Sequence, residues 1–190
     1  EWRLEDLYPG MDSPELRTDL DWLKSEIASF ANDYQGKLAD LDADAMLGCI
    51  RRYEAISNKS GRVMSFAGLL FQQNMSDTAR SKFYADTDAE LNEYSTPLVF
   101  FSLELNRVED KALETLLEAN ADLARYRPWF DRLRNFRPHQ LSDELENYQH
   151  DLSVVGTSAW NRLFDETMAG LTFDVDGKEM NAEQTLNLLS

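Results

Sequence analysis

His139, Asp143, Glu146 and His150 fall four, three and four positions apart, a rhythm that lines side chains along one face of a helix. Two imidazoles and two carboxylates so aligned have the donor types of a divalent-cation site. Hydrolytic zinc sites, however, set two imidazoles one turn apart as H-E-x-x-H, and the only two histidines here are eleven positions apart. Pro138 precedes His139 and Ser142 reads as an N-cap, which puts His139 in a connection rather than on the helix. "ENYQH" also misses by one residue the Glu-x-x-His spacing of di-iron bundles. The quartet is therefore expected to be solvated polar surface, with no metal bound by this chain.

Other chemistry is sparse. Cys49 is the single cysteine, set among apolar residues, and reads as a small buried hydrophobe. Neither G-x-x-x-x-G-K-[ST] nor G-x-G-x-x-G occurs, so no phosphate cradle is expected. One anomaly stands out. "RYRPWFDRLRNFRPH" holds Arg125, Arg127, Arg132, Arg134 and Arg137 against Asp131 alone, a local +4 in a chain of net charge −16. Guanidinium forks grip carboxylates through paired hydrogen bonds. The five arginines either pair with acidic neighbours in the same fold or meet another domain or a peptide carboxylate.

The elements that position these groups read as helices. "DSPELRTDLDWLKSEIASFANDYQGKL" opens on Asp12 or Ser13, places Pro14 in the first turn and stops at Gly36. Leu16, Leu20, Leu23, Ile27, Phe30 and Tyr34 make one stripe along it. A second helix runs from about Asp44 to Gln73, with small residues midway that accommodate the aromatics of the next. A third opens after Ser76 or Asp77, with a kink at Ser95–Pro97. A fourth spans about Glu109 to Phe136, with Leu113, Leu116, Leu123, Tyr126, Phe130 and Leu133 inward and a break near Arg127. "LSDELENYQHDL", capped by Ser142, and "SAWNRLFDETMAGL", capped near Thr157 or Ser158 and closed by Gly170, supply the fifth and sixth. The period then changes: "LTFDVDGKEMN" alternates about Asp176-Gly177 and reads as a β-hairpin. Asn181 and Gln184 form the signature of a capping box for a last helix with Leu186, Leu188 and Leu189 on its apolar face. The fold class is all-α: an antiparallel assembly of about six helices, two of them Pro-kinked, with an extended start and one small C-terminal hairpin. Residues 1–170 read as a helical domain, and residues 171–190 as hairpin and helix start.

Composition narrows the function. The 190 residues are 43% hydrophobic and 11% aromatic, enough for an ordinary core. Nineteen basic against 35 acidic side chains argue against nucleic acid or anionic lipid as partner. No apolar run approaches the roughly 20 residues that span a bilayer, and no signal-peptide layout opens the chain. A single cysteine fits a reducing compartment, so the cytoplasm is expected.

"WRLEDLYPGMDSPEL", "GRVMSFAGLLF", "RYRPWFDRLRNFRPHQLSDELE" and "SAWNRLFDETMAGLTFDVDGKEMNAEQTLNLLS", in that order, resemble the N-terminal region of the oligoendopeptidase F family, thimet-oligopeptidase-like zinc metallopeptidases. The resemblance implies a substrate-confining helical domain, one wall of a channel that admits short peptides. It also implies a C-terminal catalytic domain carrying H-E-x-x-H and the zinc, which lies outside this sequence, so that Ser190 would be an artificial or proteolytic boundary. No catalytic or metal residue of the family falls on a position here, so the chain alone is expected to be inactive. Without its catalytic domain, self-association through residues 171–190 is expected. The alternative is a free-standing acidic helical module that binds a partner protein.

Overall fold

The computed structural model describes residues 3–189. Helix α1 (Pro14–Tyr34) starts where expected: Ser13 Oγ accepts from the Leu16 amide at 3.3 Å, and Pro14 occupies the first turn. Gly36 takes the left-handed conformation (φ 78°) just past its end. The stripe Leu16, Leu20, Leu23, Ile27 and Phe30 is buried. Helix α2 (Ala43–Gln73) is capped by Asp42, whose Oδ1 accepts from Ala45 N at 2.8 Å. Helix α3 (Thr78–Ser95) is capped by Asp77 and packs along both α1 and α2. Of the small residues midway along α2, Gly68 accommodates an aromatic, whereas Ser57, Gly61 and Ser65 are exposed and Gly61 has open space around it. A Cβ on Gly68 would sit 3.8 Å from the Tyr84 ring, and Tyr84 stacks on Phe71 with centroids 5.2 Å apart.

Pro97 sits in a tight turn at residues 96–98, after which α4 (Val99–Arg107) continues the path. Phe100 and Phe101 bring this segment against Phe30, and Phe101 stacks on Tyr53 at 4.2 Å. Three expectations need correction. First, the expected extended start is a turn from Leu4 to Tyr8, where the Leu7 and Tyr8 amides both donate to the Leu4 carbonyl, while Glu1 and Trp2 lie outside the described residues. That turn buries Tyr8 to 1% exposure, and its hydroxyl donates to Asp19 at 2.7 Å. Second, the stretch from Glu109 to Phe136 is broken twice. It forms α5 (Asp110–Ala119), α6 (Ala121–Ala124) and α7 (Arg127–Arg134). Asn120 is extended, and its Oδ1 accepts from the amides of Asp122 and Leu123, so it ends one helix and caps the next. Leu117 joins Leu113 among the buried residues, and Leu116 packs partly buried against the core as expected. Third, neither Thr157 nor Ser158 caps anything. Helix α8 (Asp143–Leu152) passes through a wide-turn stretch at residues 154–158, kinked at Gly156, into α9 (Ala159–Gly170), and Ser158 has helical dihedrals.

The hairpin is present: β1 (Thr172–Val175) pairs antiparallel with β2 (Lys178–Asn181), Val175 opposite Lys178. Asp176 (φ 54°) and Gly177 (φ 78°) are both left-handed, as a two-residue turn of this hand requires. Asn181 then closes the capping box with Gln184 at the head of α10 (Ala182–Leu186). The side chain of Leu189, and Ser190, lie outside the described residues. The core runs from Leu4 to Phe130; among the described residues, nothing C-terminal to Phe130 contributes a buried hydrophobic side chain.

Candidate functional site

The His139–His150 quartet does not converge. His139 lies in the tight turn at residues 137–139, while Asp143 is engaged by a bidentate hydrogen bond from Arg107. Arg107 holds the Asp143 carboxyl below its ordinary range. Glu146 accepts from the Leu141 amide at 2.8 Å. His150 Nε2 lies 3.0 Å from Ser95 Oγ and 3.2 Å from the Asn92 carbonyl. Since the Ser95 hydroxyl itself donates to that carbonyl, both neighbours of Nε2 are acceptors and Nε2 carries the proton. Among the described residues no three His, Cys, Asp or Glu side chains group as a metal site. The donor set does not fit zinc. Cys49 is buried, and burial pushes its thiol up to about 12, far from nucleophile chemistry.

The arginine segment divides in two. Arg127 grips Glu114 with both terminal nitrogens at 2.6 Å. Arg134 and Arg137 both donate to the Asn106 carbonyl at the end of α4, and both reach Asp110 at 3.2 Å. Arg137 donates further to the Val108 carbonyl. These two cations satisfy carbonyls that α4 leaves open at its C-terminus, where positive charge is favoured. Arg125 remains 82% exposed, 4.0 Å from Asp122, and Arg132 is also on the surface.

A larger feature reaches well beyond residues 171–190, the only part of it that was anticipated. Every exposed large hydrophobic side chain among the described residues lies between Phe136 and Leu188. On α8, Leu145, Tyr148 and Leu152 are 50%, 60% and 40% exposed. The opposite, polar side of α8 faces the bundle: Asp143 meets Arg107, His150 meets Ser95, and Asp151 accepts from Thr96 at 2.8 Å. Asn92 adds donations to the His150 carbonyl and to Ser153 Oγ. Helix α9 repeats the arrangement. Trp160, Leu163, Phe164 and Met168 point outward, Trp160 at 70% exposure, while Glu166 accepts from Ser81 on α3. Both helices thus hold the bundle with hydrogen bonds and turn their apolar sides away. The spacing of these apolar residues was legible, but spacing does not tell which side meets the core.

Residues 104–173 match the sequence profile described as oligopeptidase F, the N-terminal family of that peptidase group. A comparison with curated proteins gives no match. Among solved structures, the fold matches oligoendopeptidase-F from Enterococcus faecium with a TM-score of 0.71 at 19% sequence identity. The match covers 88% of this chain and 33% of that one, so this chain spans about a third of the length of the structure it matches.

Proposed function

We propose that this chain, of which residues 104–173 match the oligopeptidase F profile, is the N-terminal, substrate-confining domain of a zinc-dependent peptidase of the oligoendopeptidase F family acting on short peptides. One observation carries this reading: α8, α9, β1 and α10 each turn large apolar side chains to the outside, Phe173 on β1 and Leu186 on α10 among them. So many exposed large apolar side chains on consecutive elements mark an interface. Its proposed partner is a catalytic region of the same polypeptide. When bound there, zinc supplies a Lewis acid and an activated water. The residues of the present chain take no part in that step. They wall the site and exclude folded substrates, and Arg125 and Arg132 are left to meet a peptide carboxylate or the adjoining region. The proposed compartment is the cytoplasm, which suits the lone buried cysteine; among the described residues no helix is long and apolar enough to cross a membrane.

The test is to express the whole reading frame that contains this segment and assay it with quenched fluorescent peptides. Turnover of short peptides, abolished by a chelator and restored by zinc, is expected of that protein. The 190-residue chain alone should retain no stoichiometric zinc after dialysis and should cut nothing. A reading frame without H-E-x-x-H, or chelator-sensitive turnover by the 190-residue chain itself, would overturn the proposal.

A further inference from the structure

Helices α8 and α9 would be one helix but for residues 154–158. There the Ser158 amide donates five residues back, to the Ser153 carbonyl at 3.0 Å, the bond of a wide turn. Gly156 leaves the helical region altogether, with φ −94° and ψ −108°. Packing does not call for glycine at this place, because a Cβ there would meet nothing within 4 Å. What glycine supplies is backbone freedom, at a break of the kind that lets helices bend sharply.

The two sides of the break are held unequally. Upstream, α8 is tied to the bundle at Asp143 by Arg107, at the His150 carbonyl and Ser153 by Asn92, and at Asp151 by Thr96. Downstream, among the described residues, a single hydrogen bond reaches from α3 to α9, from Ser81 to Glu166. Trp160, Leu163, Phe164 and Met168 point outward, so no large apolar side chain pins α9 either. The seam between α3 and α9 is also incompletely paired. Burial pushes the Tyr84 hydroxyl up, with Asp88 and Asp165 adding to this and Arg162 opposing it, so all three charges stand close to that ring. Yet Asp88 Oδ2 is buried with no hydrogen-bond partner, and Arg162 makes no ion pair with a described residue. A buried acceptor left unpaired is unfavourable.

We propose that Gly156 is a hinge about which α9, and with it the chain that follows, swings between a position latched by Ser81 and Glu166 and one lifted from α3. Lifting α9 lets water reach the Asp88 oxygen, which offsets the loss of the latch. The 12 residues of α9 make a lever of about 18 Å, so a swing of about 20° carries its far end about 6 Å. The hinge belongs to this chain alone and stands whether or not the peptidase reading holds.

The experiment is a distance measurement between paired spin labels in the dilute 190-residue chain. Ala28→Cys with Ala169→Cys spans the hinge, and Ala28→Cys with Glu144→Cys, which stops on α8, is the control; all three positions are exposed. Cys49 is buried and can stay in place. The control pair should give one narrow distance, and the hinge pair two populations or a spread wider by about 6 Å. Gly156→Ala should narrow that spread to the control's width, and Ser81→Ala should move the population to the lifted position. A hinge pair as narrow as the control, equal breadth in both pairs, or indifference to either substitution would overturn the proposal.

Discussion

Leu23 is completely buried, at the centre of the α1 stripe. Leu23→Ala should cost roughly 2–5 kcal/mol in chemical unfolding, the range for truncating a core leucine. A loss below about 0.5 kcal/mol would place it on the surface. Cys49 makes a second measurable claim. With its thiol pushed up to about 12 by burial, it should resist a thiol reagent at neutral pH in the native chain and react promptly once urea unfolds it. Rapid native labelling would contradict that burial. Asp19 sets the third. Burial alone would raise its pKa, but hydrogen bonds from Lys59 and Tyr8 outweigh it and hold the carboxyl below its ordinary value. A carboxylate depressed in the folded state contributes stability that is full above its unfolded pKa, near 4, and is lost as the pH falls through the folded value. The melting temperature should therefore decline below about pH 4, and Asp19→Asn should flatten part of that decline. A decline of equal steepness in the variant would remove Asp19 from its cause.

Helix α1 was legible because cap, stripe and stop coincide at Ser13, Leu16–Phe30 and Gly36, while α2 was legible from its apolar rhythm and α3 from its cap at Asp77. The capping box at Asn181 and the turn at Asp176-Gly177 were legible for the same reason, since local chemistry dictates them. Asn120 was not, because Leu113 to Phe130 keeps a helical rhythm across a residue whose side chain caps the next helix instead. The inward polar side of α8 was also hidden, since its anchors, Ser95, Arg107 and Asn92, are distant in sequence. The arginine segment shows both limits together: its charge was plain, but which carbonyls it would reach was not. These hydrogen-bonded anchors are partly exposed, so α8, α9 and the hairpin should open more readily than the core. Hydrogen exchange in dilute solution should be much faster over residues 171–189 than over residues 14–34. Equal protection in a proven monomer would mean that the C-terminal segment is complete by itself.

The molecule as a whole joins a well-filled core, Leu4 to Phe130, to a C-terminal layer in which none of the described large apolar side chains is buried. From Phe136 onward, ten acidic residues stand against three basic ones. Two copies meeting through this layer would bring like charges together, so self-association is expected to be weak at low salt and stronger as salt screens the repulsion. Sedimentation at rising protein and salt concentration checks this; a monomer under all conditions would remove self-association from the proposed uses of the layer. The layer's primary proposed role is to pack against a catalytic region of the same polypeptide. Hydroxyl-radical footprinting tests it most directly, comparing the dilute 190-residue chain with the protein expressed from its whole reading frame. Tyr148 and Trp160, at 60% and 70% exposure, should oxidise rapidly in the first and be protected by about tenfold or more in the second, while Tyr8 and Phe30 stay protected in both. Equal oxidation of Tyr148 and Trp160 in the two proteins would contradict a docked C-terminal layer.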